Sequence, residues 1–106
     1  MAKFLIQAAY TIDGAKGVMK EGGTSRKTQI AQILERVGGK LESFYYAFGE
    51  WDVVAIFDCP DTVTATALSM AINASGGVKL RTTPLVTPEE IDQASKKSIA
   101  YRAPGA

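Results

Sequence analysis

The chain has 106 residues, 46% of them apolar and 22% charged, with a formal net charge of +1. That balance belongs to an ordinary folded domain, and it excludes both a disordered segment and a basic surface that would bind nucleic acid or a membrane. A chain of this length buries about 65% of its unfolded surface, enough for one core, so residues 1–106 are expected to form a single domain with its core over 3–85.

Met1-Ala2-Lys3-Phe4 opens a short apolar run that soon turns polar. It is neither a signal peptide nor a membrane span, and the default expectation is the cytoplasm. Lys3 to Tyr10 alternates Phe4, Ile6, Ala8 and Tyr10 with Leu5, Gln7 and Ala9, the pattern of a strand. Thr11 to Gly14 reads as a turn, and Ala15 to Lys20 as one or two helical turns made loop-prone by glycine. Thr24 or Ser25 caps the next helix, whose Ile30, Ile33, Leu34 and Val37 form one apolar face and which Gly38-Gly39 ends.

Lys40 to Phe48 is the second strand, with Leu41, Ser43, Tyr45 and Ala47 on one side and Glu42, Phe44, Tyr46 and Phe48 on the other. Gly49-Glu50 turns into the third strand, Trp51 to Asp58, which is apolar on both faces and therefore central in a covered sheet. Asp61 or Thr62 caps a helix running to about Ser75, apolar round more than half its cylinder and so expected to be buried on more than one side. Gly76-Gly77 ends it, Val78 to Thr83 is the fourth strand, and Pro84 stops pairing. Thr87-Pro88-Glu89-Glu90 starts a last helix, about 88–97, with a capping box, and 98–106 is a tail.

The order βαββαβ predicts an α+β, ferredoxin-like domain: a four-stranded antiparallel sheet with two helices on one face. Its other face keeps aromatic and apolar residues that a single chain leaves wet. A second copy packed sheet to sheet about a twofold axis is the simplest cover, so a homo-oligomer, dimer or larger, is expected.

Histidine is absent, which removes the commonest general base and metal ligand, and Cys59 is the only cysteine. No disulfide can form within the chain, a reducing compartment fits, and Cys59 reads as a small buried residue. No resident cofactor and no metal site is expected. One constellation is Trp51, Asp52 and Glu50 with Tyr10, Tyr45 and Tyr46. Asp52 is the candidate base if partial burial raises its pKa, with the aromatics as walls and hydroxyl donors of a pocket between sheets. The plainer reading makes Asp52 a hairpin anchor, because aspartate at a turn usually bonds local backbone. A second is Ser25 and Arg26, with Lys27, at a helix start, where cations oppose the dipole and either a docked anion relieves them or, more plainly, they bend into solvent or pair with Glu21. A third is Lys79 and Arg81 on one strand face, with Arg81 either pairing to Glu42 or Asp52 or holding a carboxylate ligand.

Phe4-Leu5-Ile6-Gln7, Gly23-Thr24-Ser25-Arg26 and Gly38-Gly39-Lys40-Leu41 resemble parts of the GYD domain family. So do Phe48-Gly49-Glu50-Trp51-Asp52-Val53-Val54-Ala55-Ile56, Arg81-Thr82-Thr83-Pro84-Leu85 and Thr87-Pro88-Glu89-Glu90. The family's Gly-Tyr-Asp signature corresponds to Gly49-Glu50-Trp51-Asp52, with tryptophan in place of the tyrosine. The resemblance implies a dimeric α+β barrel, two ferredoxin-like sheets packed face to face. That architecture houses cofactor-poor monooxygenases, isomerases and ligand-sensing modules, so it specifies no reaction. A small-ligand-binding or accessory module is the function expected. The alternative is a small cofactor-free oxygenase or isomerase using Asp52 and tyrosines.

Overall fold

Alternation along β1 (Ala2–Tyr10) and β3 (Val53–Cys59) divides the molecule into a packed side and an open side. The computed structural model describes residues 1–106 and buries Phe4, Ile6 and Ala8 of β1 with Val53, Ala55, Phe57 and Cys59 of β3. The rings of Phe4 and Phe57 stack with centroids 5.4 Å apart. Leu34 of α2 (Gly23–Arg36) and Ala65 of α3 (Thr62–Ala74) close this core from above. Burying side chains such as Phe57 and Leu34 contributes roughly 1.5–3 kcal/mol each.

The sheet order is β2-β3-β1-β4, with β2 (Lys40–Tyr46) and β4 (Val78–Leu85) at the edges and every pair antiparallel. Helix α2 lies over β2 and α3 over β4. This is the expected α+β, ferredoxin-like arrangement of four antiparallel strands in one open sheet. Around it are four helices rather than three, in the order β1-α1-α2-β2-β3-α3-β4-α4.

Residues 12–21, expected to be a turn and a loop-prone stretch, form the helix α1 (Ile12–Glu21). Thr11 caps it by accepting from the Gly14 N–H at 3.1 Å, and the Thr11 hydroxyl also reaches the Gly76 and Gly77 carbonyls. Gly14 is there for contact and not for looseness: a Cβ on it would overlap the Gly77 carbonyl oxygen. Neither Thr24 nor Ser25 caps α2. Gly22, at φ 89°, closes α1 through its N–H to the Val18 carbonyl (2.7 Å) and serves as N-cap of α2 without a side-chain bond.

Strand β2 carries a bulge between Leu41 and Ser43. The extra residue breaks strict alternation, so Leu41, Phe44 and Tyr46 share the helix side while Ser43 and Tyr45 face outward. The β2–β3 connection is a longer loop than Gly49-Glu50, closed where the Ala47 N–H donates to the Asp52 carbonyl at 2.9 Å. Pro84 does not stop β4. It sits opposite Phe4 on an edge strand, where a missing N–H leaves no rung unpaired. Helix α3 buries Ala65 but leaves Val63 and Met70 on an exposed flank, because only a narrow stripe of Ala65, Leu68, Ser69 and Ile72 is turned toward the sheet. Its cap is Asp61, which accepts from the Thr64 N–H at 2.7 Å. Helix α4 (Pro88–Ser95) has the expected capping box but buries nothing.

The open face presents Leu5, Gln7 and Ala9 of β1, Val54 and Ile56 of β3, Tyr45 of β2, and Lys79, Arg81 and Leu85 of β4. Glu42 pairs with Lys3 at 2.6 Å, and Lys3 also reaches Asp58 at 3.1 Å, so the expected bridge from Arg81 to Glu42 or Asp52 is not made.

The two glycines of α1 separate contact from flexibility. Gly14→Ala should cost about 1–3 kcal/mol, the usual penalty for overpacking. Gly17, with open space around it, should gain about 0.5–1 kcal/mol on mutation to alanine. Urea denaturation of both variants checks the pair, and equal effects would contradict the contact.

Candidate functional site

The end of the sheet where β1 finishes gathers the polar side chains. Tyr10 points to the helix side, in step with Ile6 and Ala8. Beyond the last β1–β3 pair, Ala8 with Val53, the ladder is continued by Asp52. The Asp52 N–H donates to the Ala8 carbonyl at 2.8 Å, and its Oδ2 accepts the Tyr10 N–H at 2.9 Å. The carboxylate replaces a missing backbone acceptor and fixes where Tyr10 stands.

Tyr46 arrives from the end of β2, turned to the same side by the bulge. Its hydroxyl donates to the Gly23 carbonyl at 3.1 Å, and a Cβ on Gly23 would come within 2.9 Å of its ring. One turn along α2, the half-buried Arg26 donates from Nη1 to Gln29 Oε1 at 3.0 Å. The ion pairs of the chain are those of Lys3, so the Arg26 guanidinium has no carboxylate partner. Burial pushes the Tyr10 hydroxyl up to about 12; the neighbouring Tyr46 hydroxyl adds to this, and the Arg26 guanidinium opposes it without prevailing. Tyr10 is therefore a neutral hydrogen-bond donor throughout the physiological range.

Three hollows adjoin Tyr10. The innermost is about 40 Å³ and is lined by 11 residues, 10 of them hydrophobic, among them Ile30, Phe44 and Val53. A water needs about 10–15 Å³, but an apolar space of this size stays dry, so it is a packing gap. The second, about 180 Å³, lies under α1 between Gly14, Val18, Arg26, Ser75 and Gly77, with Glu21 at its edge. The third, about 370 Å³, opens outward between Val18, Tyr46, Phe48 and Asp52. Phe48 is fully exposed at its rim.

Of the residues singled out in the sequence, Tyr10, Tyr46, Asp52 and Arg26 come together here. Tyr45 does not: it is 70% exposed on the open face of the sheet. Trp51 is partly buried but lines none of the three hollows. Glu50 is exposed in the β2–β3 loop, Ser25 is exposed on α2, and Arg81 is exposed on the open face. Sequence reasoning missed Val18, Ser75 and the Gly14–Gly77 contact. The signal was there in part, since Gly76-Gly77 was legible as a helix end, but its docking on α1 is a tertiary fact. Cys59 is buried as expected, and burial pushes its thiol pKa up. No group of three His, Cys, Asp or Glu side chains converges as metal ligands would, and no helix is long and apolar enough to cross a membrane.

An open antiparallel sheet in this order, helices on one face and recesses at one end, defines a ferredoxin-like α+β protein with a recessed site between sheet and helices. The GYD domain model matches residues 4–95, and the chain belongs to the GYD domain family. No curated protein and no solved structure matches it.

The raised pKa of Tyr10 predicts an alkaline weakness. An unfolded tyrosine ionises near 10.0, the folded one at about 12, so the contribution of Tyr10 is complete below pH 10 and is lost as pH rises towards 12. Thermal melts of wild type and Tyr10→Phe should differ in slope over that interval, with the variant losing less stability. Parallel curves would show that the hydroxyl is ordinarily solvated.

Proposed function

We propose that this chain is a homo-oligomeric small-ligand-binding module. The observation that carries the reading is the meeting of two hollows, of about 180 and 370 Å³, at the one half-buried Tyr10, with walls drawn from β1, α1, α2, β2 and the α3–β4 turn. Walls from so many elements converge on a recess with a few polar groups, which is how small-molecule sites are built.

The open face supports the oligomer. Leu5, Ala9, Val54, Ile56, Tyr45 and Leu85 form an uncovered apolar patch across the strands. Its carboxylates, Glu42 and Asp58, are paired to Lys3 at one end, while Lys79 and Arg81 stand without carboxylate partners at the other end of β4. A second copy packed sheet to sheet about a twofold axis would cover this patch.

The enzyme reading, with Asp52 as base, draws less support. Asp52 Oδ2 is taken by the Tyr10 N–H, so the carboxylate is occupied as an anchor of the fold.

A screen of small aromatic and aliphatic organic molecules by thermal shift tests the module. A ligand at a hundred times its Kd adds about 2.7 kcal/mol, which raises the Tm by roughly 10 °C in a domain of this size. Val18→Trp, which fills both hollows, should abolish the shift while leaving the unliganded Tm within a few degrees; a shift that survives would place the ligand elsewhere. The oligomer has its own check. Ile56→Lys on the open face should reduce the mass seen by light scattering to that of one chain, and an unchanged mass would reject the sheet-to-sheet interface.

A further inference from the structure

We infer that the hollow under α1 is a carboxylate site, and that the ligand class is a small monoanionic organic acid with a compact apolar body. This rests on the ligand-binding reading and gives its site a chemistry.

Charge comes first. Arg26 is half-buried, has no ion-pair partner, and is the only cation lining either the 40 Å³ gap or the 180 Å³ hollow. It donates from Nη1 to Gln29 and lies beside the Tyr10 hydroxyl, and no carboxylate engages the fork. A half-buried guanidinium at a recess without an anion forgoes the strongest interaction available to it, a bidentate pair with a carboxylate.

The surroundings select the kind of anion. Glu21 lies at the edge of the same hollow and repels a second negative charge, so a phosphate dianion would meet one cation and one like charge. A carboxylate carries one charge and matches the planar fork. Tyr10 stands beside the guanidinium as a neutral donor for a carboxylate oxygen. Its phenol cannot compete as an anion, because it keeps its proton up to about pH 12.

Size limits the remainder. A hollow of about 180 Å³ slightly exceeds the roughly 150 Å³ cavity that accepts benzene. Val18, Val78 and the Tyr10 ring supply its apolar walls. A single ring or a short branched chain fits, while a longer body would have to extend past Val18 into the outer hollow.

Calorimetric titration with benzoate and with benzamide, its neutral isostere, tests the assignment on the whole chain. Benzoate should bind wild type at least about tenfold more tightly than benzamide, the order of one charge-assisted hydrogen-bond pair. Arg26→Gln should remove that preference and leave benzamide unchanged, and Arg26→Lys should restore only part of it, since an ammonium lacks the fork. A melting curve of each variant confirms folding. Equal binding of benzoate and benzamide to wild type, or an equal loss of both in Arg26→Gln, overturns the carboxylate assignment and leaves the binding module standing. Failure of every compound, charged or neutral, to bind or to shift the Tm overturns both.

Discussion

The hydrogen bond from the Tyr10 N–H to the Asp52 carboxylate is where the sheet stops being regular and the site begins. Regular pairing of β1 with β3 ends at Ala8 and Val53. One residue further, a side chain takes over the acceptor's role, and the backbone of Asp52 ties Ala8 on one side and Ala47 on the other. Three strand ends are therefore joined through a single aspartate. Without it the last residue of β1 would have a free N–H, and the ring that walls the three hollows of the site would have no fixed position. Stability and site geometry depend on the same atoms here. An unmade buried bond costs about 1–3 kcal/mol, a large share of what a small domain has.

The bulge in β2 decides which tyrosine belongs to which surface. Under strict alternation Leu41 and Tyr45 would share a face, and Tyr46 would stand opposite them. The extra residue between Leu41 and Ser43 turns Tyr46 inward to meet Gly23 and Tyr10, and leaves Tyr45 outside among Val54 and Ile56. Adjacent tyrosines thus serve the recess and the open face separately. A period-two reading of Lys40 to Phe48 could not have found this, because a bulge leaves no mark in hydrophobic pattern when the neighbours are Glu42 and Ser43.

Elements driven by burial were legible in the sequence. Phe4, Ile6 and Ala8 against Val53, Ala55 and Phe57, the helix face around Leu34, and the capping box at Thr87 all follow from alternation, periodicity and capping chemistry. The α1 helix was not, since Gly14 and Gly17 argue for a loop when read locally. Only the approach of Gly77 shows that one of them makes room for a backbone. The site was legible by half for the same reason. Tyr10, Tyr46, Asp52 and Arg26 stood out as chemistry, but their grouping depends on the bulge and on α1, while Trp51, Glu50 and Arg81 were drawn in by proximity in sequence or by strand-face guesses that the register redistributes.

Helix α4 and the residues after it bear on how the molecule comes apart. Every residue from Pro88 to Ala106 is exposed, and the chain measures 56 × 33 × 23 Å, with a radius of gyration of 16.9 Å against the roughly 13 Å of a compact body this long. An eight-residue helix with no packed face is held by its caps alone, and such a helix opens at little cost. The arm and the sheet are thus separate cooperative units: heat or denaturant unravels the first before the second responds. A probe on the arm and a probe on Trp51 would report two transitions from one chain, which a single free energy of unfolding cannot describe.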